Sequence, residues 1–114
     1  MALLHAQAGE VVDAGPLGDL LPETKTCALV KTQNFEVIRM VMLAGKEIAE
    51  HRAKGAIIVH CLEGSVLFNV ADKQVELTAG KLIHLKAGER HALKAISNSS
   101  LLLTMLLHPE SENS

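Results

Sequence analysis

Two histidines, His51 and His91, are the strongest candidates for chemistry in this chain, and each lies within a block that begins with a glycine. The first block runs from Gly45 to Gly64 and the second from Gly80 to Ala95. A neutral imidazole binds divalent metals through a ring nitrogen, and it also exchanges hydrogen bonds with polar ligands near neutral pH. The pair therefore predicts a metal site or a polar contact for a bound molecule, provided that the fold brings the two rings together.

The elements that must position these histidines are predicted to be short strands. From about Thr26 onward, segments rich in Val, Ile, Leu and Thr are separated by Gly, Asn, Asp and Ser, and no helical period lasts for three turns. The predicted strands are Cys27–Lys31, Phe35–Leu43, Glu47–His51, Ala56–Leu62, Val66–Val70, Gln74–Thr78, Leu82–Leu85, His91–Ile96 and Leu101–Leu107. Turns are expected at Ala71–Lys73, Lys86–Glu89 and Ser97–Ser100. This spacing predicts an all-β sandwich or barrel.

The ends of the chain differ from this pattern. Residues 1–25 contain several glycines and prolines around the pair Val11 and Val12, and we expect an irregular arm with room for one short strand. Residues 26–108 form the predicted barrel domain. Residues 109–114 are polar and are expected to be a flexible, solvated tail.

The composition favours one globular domain and excludes several kinds of partner. The chain has 114 residues, of which 48% are apolar, and this suits a single hydrophobic core. Eleven basic and 13 acidic residues give a net charge of −2 without a basic block, which argues against nucleic acid as a partner. The apolar stretches are shorter than the roughly 20 residues that span a bilayer. The N-terminus lacks the basic region of a secretory signal, so we expect a cytoplasmic location and no membrane partner.

The two histidine blocks resemble the paired motifs of the cupin family. The first motif is usually written G-x5-H-x-H-x3/4-E-x6-G and the second G-x5-P-x-G-x2-H-x3-N. The positions that match are Gly45, His51 and Gly64 in the first motif and Gly80, Gly88 and His91 in the second. The resemblance covers about residues 35–107 and implies a cupin-type double-stranded β-helix, which is a jelly-roll barrel.

The same motifs lack part of the family's metal site. In metal-binding cupins, three histidines and a glutamate from the two motifs converge on one divalent ion inside the barrel. The positions that differ here are Ala53 for a histidine, Ile57 for the glutamate, Lys86 for the proline and Ala95 for the asparagine. Because His51 and His91 alone carry over, the resemblance implies weak binding of a divalent metal such as Zn, Ni, Fe or Mn.

Two further histidines are candidates for a third ligand. His84 lies on the strand before the turn that leads to His91, on the same face as Leu82 and Lys86. If position 57 points inward as it does in the family, His60 faces away from the interior, because alternate strand residues point to opposite faces. We therefore prefer His84 to His60. For both residues the alternative is a histidine that is held by its neighbours in the core or at a subunit contact.

Two function classes stay open. In the first, His51 and His91, joined by His84, hold a metal that acts as a Lewis acid or activates water or dioxygen on a small organic substrate. In the second, the barrel binds a small molecule without converting it, because Ala53 and Ile57 give apolar lining at two ligand positions. A purely structural alternative treats the histidine pair as a remnant that packs acceptably in the barrel.

The remaining predictions concern subunits and ordinary structural roles. Small cupins usually form homodimers, and the apolar segments Phe35–Leu43 and Leu101–Leu107 leave surface for a homodimer through an outer strand or the N-terminal arm. The methionines at positions 40, 42 and 105 are expected to fill the core. Arg52 and Lys54 border the expected pocket mouth and are interpreted as part of a solvated loop.

Overall fold

Nine strands follow a short 3-10 helix within residues 5–108, the part of the chain that this computed structural model describes. The strands are β1 Cys27–Lys31, β2 Phe35–Met42, β3 Glu47–His51, β4 Ile57–Glu63, β5 Ser65–Val70, β6 Lys73–Thr78, β7 Leu82–Leu85, β8 His91–Ala95 and β9 Ser99–Leu106. All nine were predicted from the sequence, and no boundary differs by more than two residues. Alternating apolar residues between turn-forming residues were therefore a sufficient signal for these strands.

The strands form two antiparallel sheets that face each other. One sheet has the order β1-β2-β9-β4-β7 and the other has the order β3-β8-β5-β6. Neighbours within each sheet are often distant in sequence, because the chain crosses repeatedly from one sheet to the other. This arrangement is a jelly roll, and it confirms the predicted all-β fold.

The hydrophobic core lies between the two sheets. In β4, Ile57, Val59 and Cys61 are 5%, 2% and 0% exposed, whereas Ile58 is 42% exposed. This alternation confirms that position 57 points inward and that His60 lies on the other face of the strand. Phe68 of β5 is fully buried on the opposite side of the core. Each such large apolar side chain stabilises the fold by about 1.5–3 kcal/mol.

The last strand begins earlier than predicted, at Ser99 instead of Leu101. Ser99 and Ser100 were predicted to belong to a turn, but both are fully buried. Burial is tolerated because each hydroxyl has a hydrogen-bond partner. Ser99 Oγ donates to the carbonyl oxygen of Ser97 at 2.7 Å, and Ser100 Oγ donates to the Glu63 carboxylate. The prediction was wrong because composition alone does not reveal such partners.

Side chains of the barrel hold the N-terminal arm. Arg39 Nη2 donates to the carbonyl oxygens of Asp13 at 2.9 Å and Gly15 at 3.0 Å. The described part of the arm, residues 5–25, contains the 3-10 helix Gly18–Glu23 and no strand. The short strand for which we left room near Val11 is therefore wrong, because that side chain is 99% exposed and packs on no sheet. The predicted tail at 109–114 lies outside the described residues.

Membrane insertion through a helix has no support in residues 5–108. The described helix is the six-residue 3-10 helix Gly18–Glu23, which contains Pro22. No helix within these residues is long and apolar enough to cross a bilayer.

Candidate functional site

His51 and His91 lie directly opposite each other although 40 residues separate them in the sequence. The antiparallel pairing of β3 with β8 makes their Cα atoms partners. Their ring centroids are 4.3 Å apart, and the rings are tilted by 59°. The fold therefore brings the two histidines together, as the sequence predicted.

An irregularity in β3 creates this pairing. Glu47 pairs with Lys94 and Ile48 with Leu93, but the register shifts before His51. Continuing the earlier register would place His51 opposite Arg90, since partner numbers in an antiparallel ladder have a constant sum. A bulge of this kind redirects side chains at the end of a strand. Here it places one imidazole against another.

Both imidazoles are oriented in the same way. His51 Nδ1 lies 3.0 Å from the carbonyl oxygen of Ala49, and His91 Nδ1 lies 3.0 Å from that of Glu89. A carbonyl oxygen can only accept a hydrogen bond, so each Nδ1 carries the proton and donates it. In the neutral form of such a ring, the Nε2 atom keeps a free lone pair. Metal-binding histidines are commonly held in this manner by a backbone carbonyl.

The two rings differ in burial. His51 is exposed, whereas His91 is 3% exposed and stacks near Phe68 at a centroid distance of 6.3 Å. Burial lowers the pKa of His91 and the neighbouring His51 lowers it further, although the hydrogen bond to Glu89 opposes this change. His91 is therefore predominantly neutral near pH 7, with Nε2 available as an acceptor or ligand.

The pair lies in the wall of a cavity between the two sheets. The cavity has a volume of about 190 Å³ and is lined mainly by apolar side chains. The apolar lining residues are Met40, Ile48, Ala53, Ile57, Val59, Phe68, Leu93, Leu103 and Met105. The polar groups are His51, His91 and Arg52. A dry cavity of roughly 150 Å³ holds benzene, so this one suits a compact organic molecule.

Ala53 and Ile57 line the cavity at the positions where metal-binding cupins have a histidine and a glutamate. Neither side chain has a donor atom for a metal. Across residues 5–108, no group of three or more His, Cys, Asp or Glu side chains is arranged to hold a metal ion. The residues present do not fit the four-ligand site of the family, and two imidazoles are what remains of it.

The structure does not bring His84 to the pair. His84 is exposed on β7 and lies opposite Ile58 of β4, on the outer face of the five-stranded sheet. The inward position of β7 is taken by Leu85, which is 2% exposed. Strand alternation thus gives no geometric support to His84 as a third ligand. His60 also lies outside the cavity lining.

Sequence reasoning missed the place of two methionines in the site. Met40 and Met105 were predicted to be core fillers, yet both line the cavity across from the histidines. Met42, in contrast, is 1% exposed in the core and does not line the cavity. Strand alternation shows that all three side chains point inward, but it does not show where the core contains a void. Arg52 was assigned to a solvated loop, and it contributes to the cavity lining as well.

A protein-family model also matches the part of the chain that forms the cavity. The model described as "Cupin domain" matches residues 38–107, a stretch that contains both cavity histidines. A comparison with curated proteins finds no match.

Solved structures with the same fold include both whole chains and parts of larger enzymes. A cupin superfamily protein from Desulfitobacterium hafniense aligns with a TM-score of 0.73 and 16% identity, over 90% of this chain and 99% of that one. A conserved protein of unknown function from Streptococcus pyogenes aligns with a TM-score of 0.70 and 22% identity, over 97% and 100%. The oxalate decarboxylase of Bacillus subtilis, a protein with Mn(II) centres, aligns with a TM-score of 0.62 and 23% identity, over 71% and 23%. At these identities the likeness shows the fold alone.

Proposed function

Since the chain belongs to the cupin family, we propose that it uses the interior of its barrel to bind a small, mostly apolar organic molecule. The observation that carries this proposal is the cavity of about 190 Å³, whose mainly apolar wall contains three polar groups, those of His51, His91 and Arg52. A cavity with apolar lining and a few converging polar groups is the usual form of a small-molecule site. Ala53 and Ile57 strengthen this character, because they add apolar surface where a metal site would have charged or polar donors.

The polar end of the cavity defines what the ligand must carry. The free Nε2 atoms of His51 and His91 accept hydrogen bonds, because both Nδ1 atoms already donate to carbonyl oxygens. Arg52 adds a guanidinium group beside them. A compact ligand with an apolar body and one hydroxyl group matches this arrangement, since its O–H donates to a free Nε2 and its body meets the apolar wall. A carboxyl group is ionised near pH 7 and would contact the Arg52 guanidinium instead.

A cavity-filling variant tests the proposal. Phenol and benzoic acid are suitable probes, and we expect each to raise the melting temperature of the wild type, because a ligand that binds the folded state stabilises it. Ala53→Leu should abolish this rise by filling the cavity, whereas Ala44→Leu, on an exposed loop, should preserve it. Equal responses of the two variants would place the ligand elsewhere.

Weak binding of a divalent metal is the second candidate, and the orientation of the two histidines favours it. Both Nδ1 atoms are held by carbonyl oxygens, as in histidine ligands of known metal sites. Water would complete the coordination of Zn, Ni, Fe or Mn, and an ion bound there supplies Lewis acidity. Elemental analysis of the isolated protein tests this candidate: near-stoichiometric metal should be present in the wild type and lost in His51→Ala and His91→Ala. Metal-free wild-type protein with an intact fold counts against it.

A further inference from the structure

We infer that the metal best suited to this cavity is monovalent copper, bound by the Nε2 atoms of His51 and His91 and by a thioether sulfur of Met40 or Met105. This inference rests on the part of the proposed function that makes the histidine pair a metal site, and it replaces the divalent ion considered there with a monovalent one. It follows from three properties of the cavity: the kind of donor atoms, the absence of negative charge among them, and the small number of ligands.

The donor atoms come from both sheets. His51 and His91 lie on β3 and β8, whereas Met40 and Met105 lie on β2 and β9 of the facing sheet. Facing sheets are about 10 Å apart, a span that a methionine and a histidine can bridge together. The methionine side chain is unbranched and has three rotatable bonds, so its sulfur adjusts readily to an ion held by the imidazoles. Thioether sulfur is a soft ligand and selects Cu(I) over divalent ions that prefer oxygen.

The cavity offers no negative charge to balance a divalent ion. Its lining contains no carboxylate and no thiol, and Arg52 adds a positive charge. The cost of moving an ion from water into an apolar site scales with the square of its charge, so a monovalent ion costs about a quarter of what a divalent ion of the same radius costs. The donor set is therefore better matched to a single positive charge.

The number of ligands points to the same ion. Structural zinc sites normally use four protein ligands and catalytic sites use three. Cu(I) is stable with two or three ligands, and two imidazoles with one thioether complete such a set. Because Ala53 and Ile57 supply no ligand, the cavity has enough protein ligands for Cu(I) but too few to hold zinc or iron firmly.

Anaerobic competition against a chromophoric Cu(I) chelator tests the inference. The titration uses the 114-residue chain with the substitution Cys27→Ser, because the partly exposed Cys27 thiol would otherwise compete for the metal. We expect one equivalent of Cu(I), with affinity reduced by about 100-fold or more in His91→Ala and about tenfold or more in the double variant Met40→Leu, Met105→Leu. Met42→Leu is the matched control and should bind as the parent does, because Met42 does not line the cavity.

Three results would overturn the inference. Unchanged Cu(I) affinity in the double methionine variant would remove the thioether ligands. Tighter binding of Zn(II) or Ni(II) than of Cu(I) would contradict the charge argument. An absence of Cu(I) binding in protein that still responds to phenol would reject the copper site and leave the organic pocket standing. Leucine nearly preserves the volume of methionine. Circular dichroism verifies that the double methionine variant keeps its fold, and phenol binding verifies that it keeps its cavity.

Discussion

The carboxylate of Glu63, at the end of β4, accepts a hydrogen bond from the hydroxyl of Ser100 on the neighbouring strand β9. It also accepts the backbone N–H groups of Leu17 at 2.7 Å and Gly18 at 3.0 Å. One acidic side chain thus fixes both the start of the last strand and the start of the 3-10 helix. Arg39 holds the arm a few residues earlier, so the arm is attached to the barrel at two neighbouring places.

Removal of the Glu63 charge should loosen the arm in a pH-dependent way. Burial raises the pKa of this carboxyl, but hydrogen bonds from Leu17, Ser100 and Gly18, with the charge of Arg39, outweigh burial and lower the pKa overall. A lowered pKa in the folded state stabilises the fold above the unfolded pKa, and this contribution is lost as the pH falls through the folded pKa. Glu63→Gln should therefore cost about 1–3 kcal/mol at pH 7 and progressively less in acid.

Urea denaturation of wild type and Glu63→Gln between pH 7 and pH 3 measures this difference. Glu47→Gln serves as the control, because Glu47 is an exposed glutamate near the surface end of β3. The difference between wild type and the control variant should change little with pH. A Glu63→Gln penalty that stays constant down to pH 3 would show that its charge does not hold the arm.

The outer face of the five-stranded sheet should form a homodimer contact. Its exposed apolar side chains are Phe35, Ile58, Leu82 and Leu106, which are 37%, 42%, 59% and 44% exposed. Several large apolar side chains exposed on one sheet face are typical of a subunit contact. We expect the wild type to elute as a dimer in size-exclusion chromatography with light scattering, and Leu82→Glu to elute as a monomer. Leu43→Glu, at an exposed loop position that is 45% exposed, should remain dimeric. A monomeric wild type would refute the prediction.

The fold was predictable from the sequence because its signals are local. Alternation in segments such as His91–Ala95 fixed both the strand and its buried face, since period two is a property of the strand itself. Errors arose where long-range partners decide the outcome. Ser99 belongs to a strand because it pairs with Met42 of β2, and its buried hydroxyl is satisfied by the carbonyl oxygens of Ser65 and Ser97. The sequence shows neither contact.

The site was predictable only in part, for a related physical reason. The pairing of His51 with His91 was anticipated from motif spacing, and the structure brings the rings together. The bulge in β3 that produces this register has no signal in a single sequence. The orientation of His84 was also hidden, because a turn separates its strand from that of His91 and obscures their relative faces. Met40 could be placed inward, but a void beside it depends on how all neighbouring side chains pack.

Two glycines of the first block should respond differently to alanine. Gly45 and Gly64 both adopt positive φ, at +85° and +89°, which disfavours any side chain. A Cβ at Gly45 would meet open space, whereas one at Gly64 would collide with the backbone of Asn98 and the side chain of Ser99. We expect Gly45→Ala to cost about 1–2 kcal/mol from backbone strain and Gly64→Ala to cost clearly more. Chemical denaturation compares the two, and equal losses would show that the contacts at Gly64 relax freely.

Loss of one cavity imidazole should weaken the binding of ligands with a hydroxyl group more than the binding of purely apolar ligands. His91→Leu removes the buried Nε2 acceptor while keeping an apolar side chain of similar reach in the wall. A hydrogen bond of this type contributes about 0.5–1.5 kcal/mol, so phenol should lose up to about tenfold in affinity while benzene loses little. Titration calorimetry measures the phenol affinity, and thermal shift follows benzene. His84→Leu is the matched control on the outer face and should leave both ligands unaffected. If the His91→Leu change weakens benzene and phenol by the same factor, the imidazole only shapes the cavity and does not contact the polar end of the ligand.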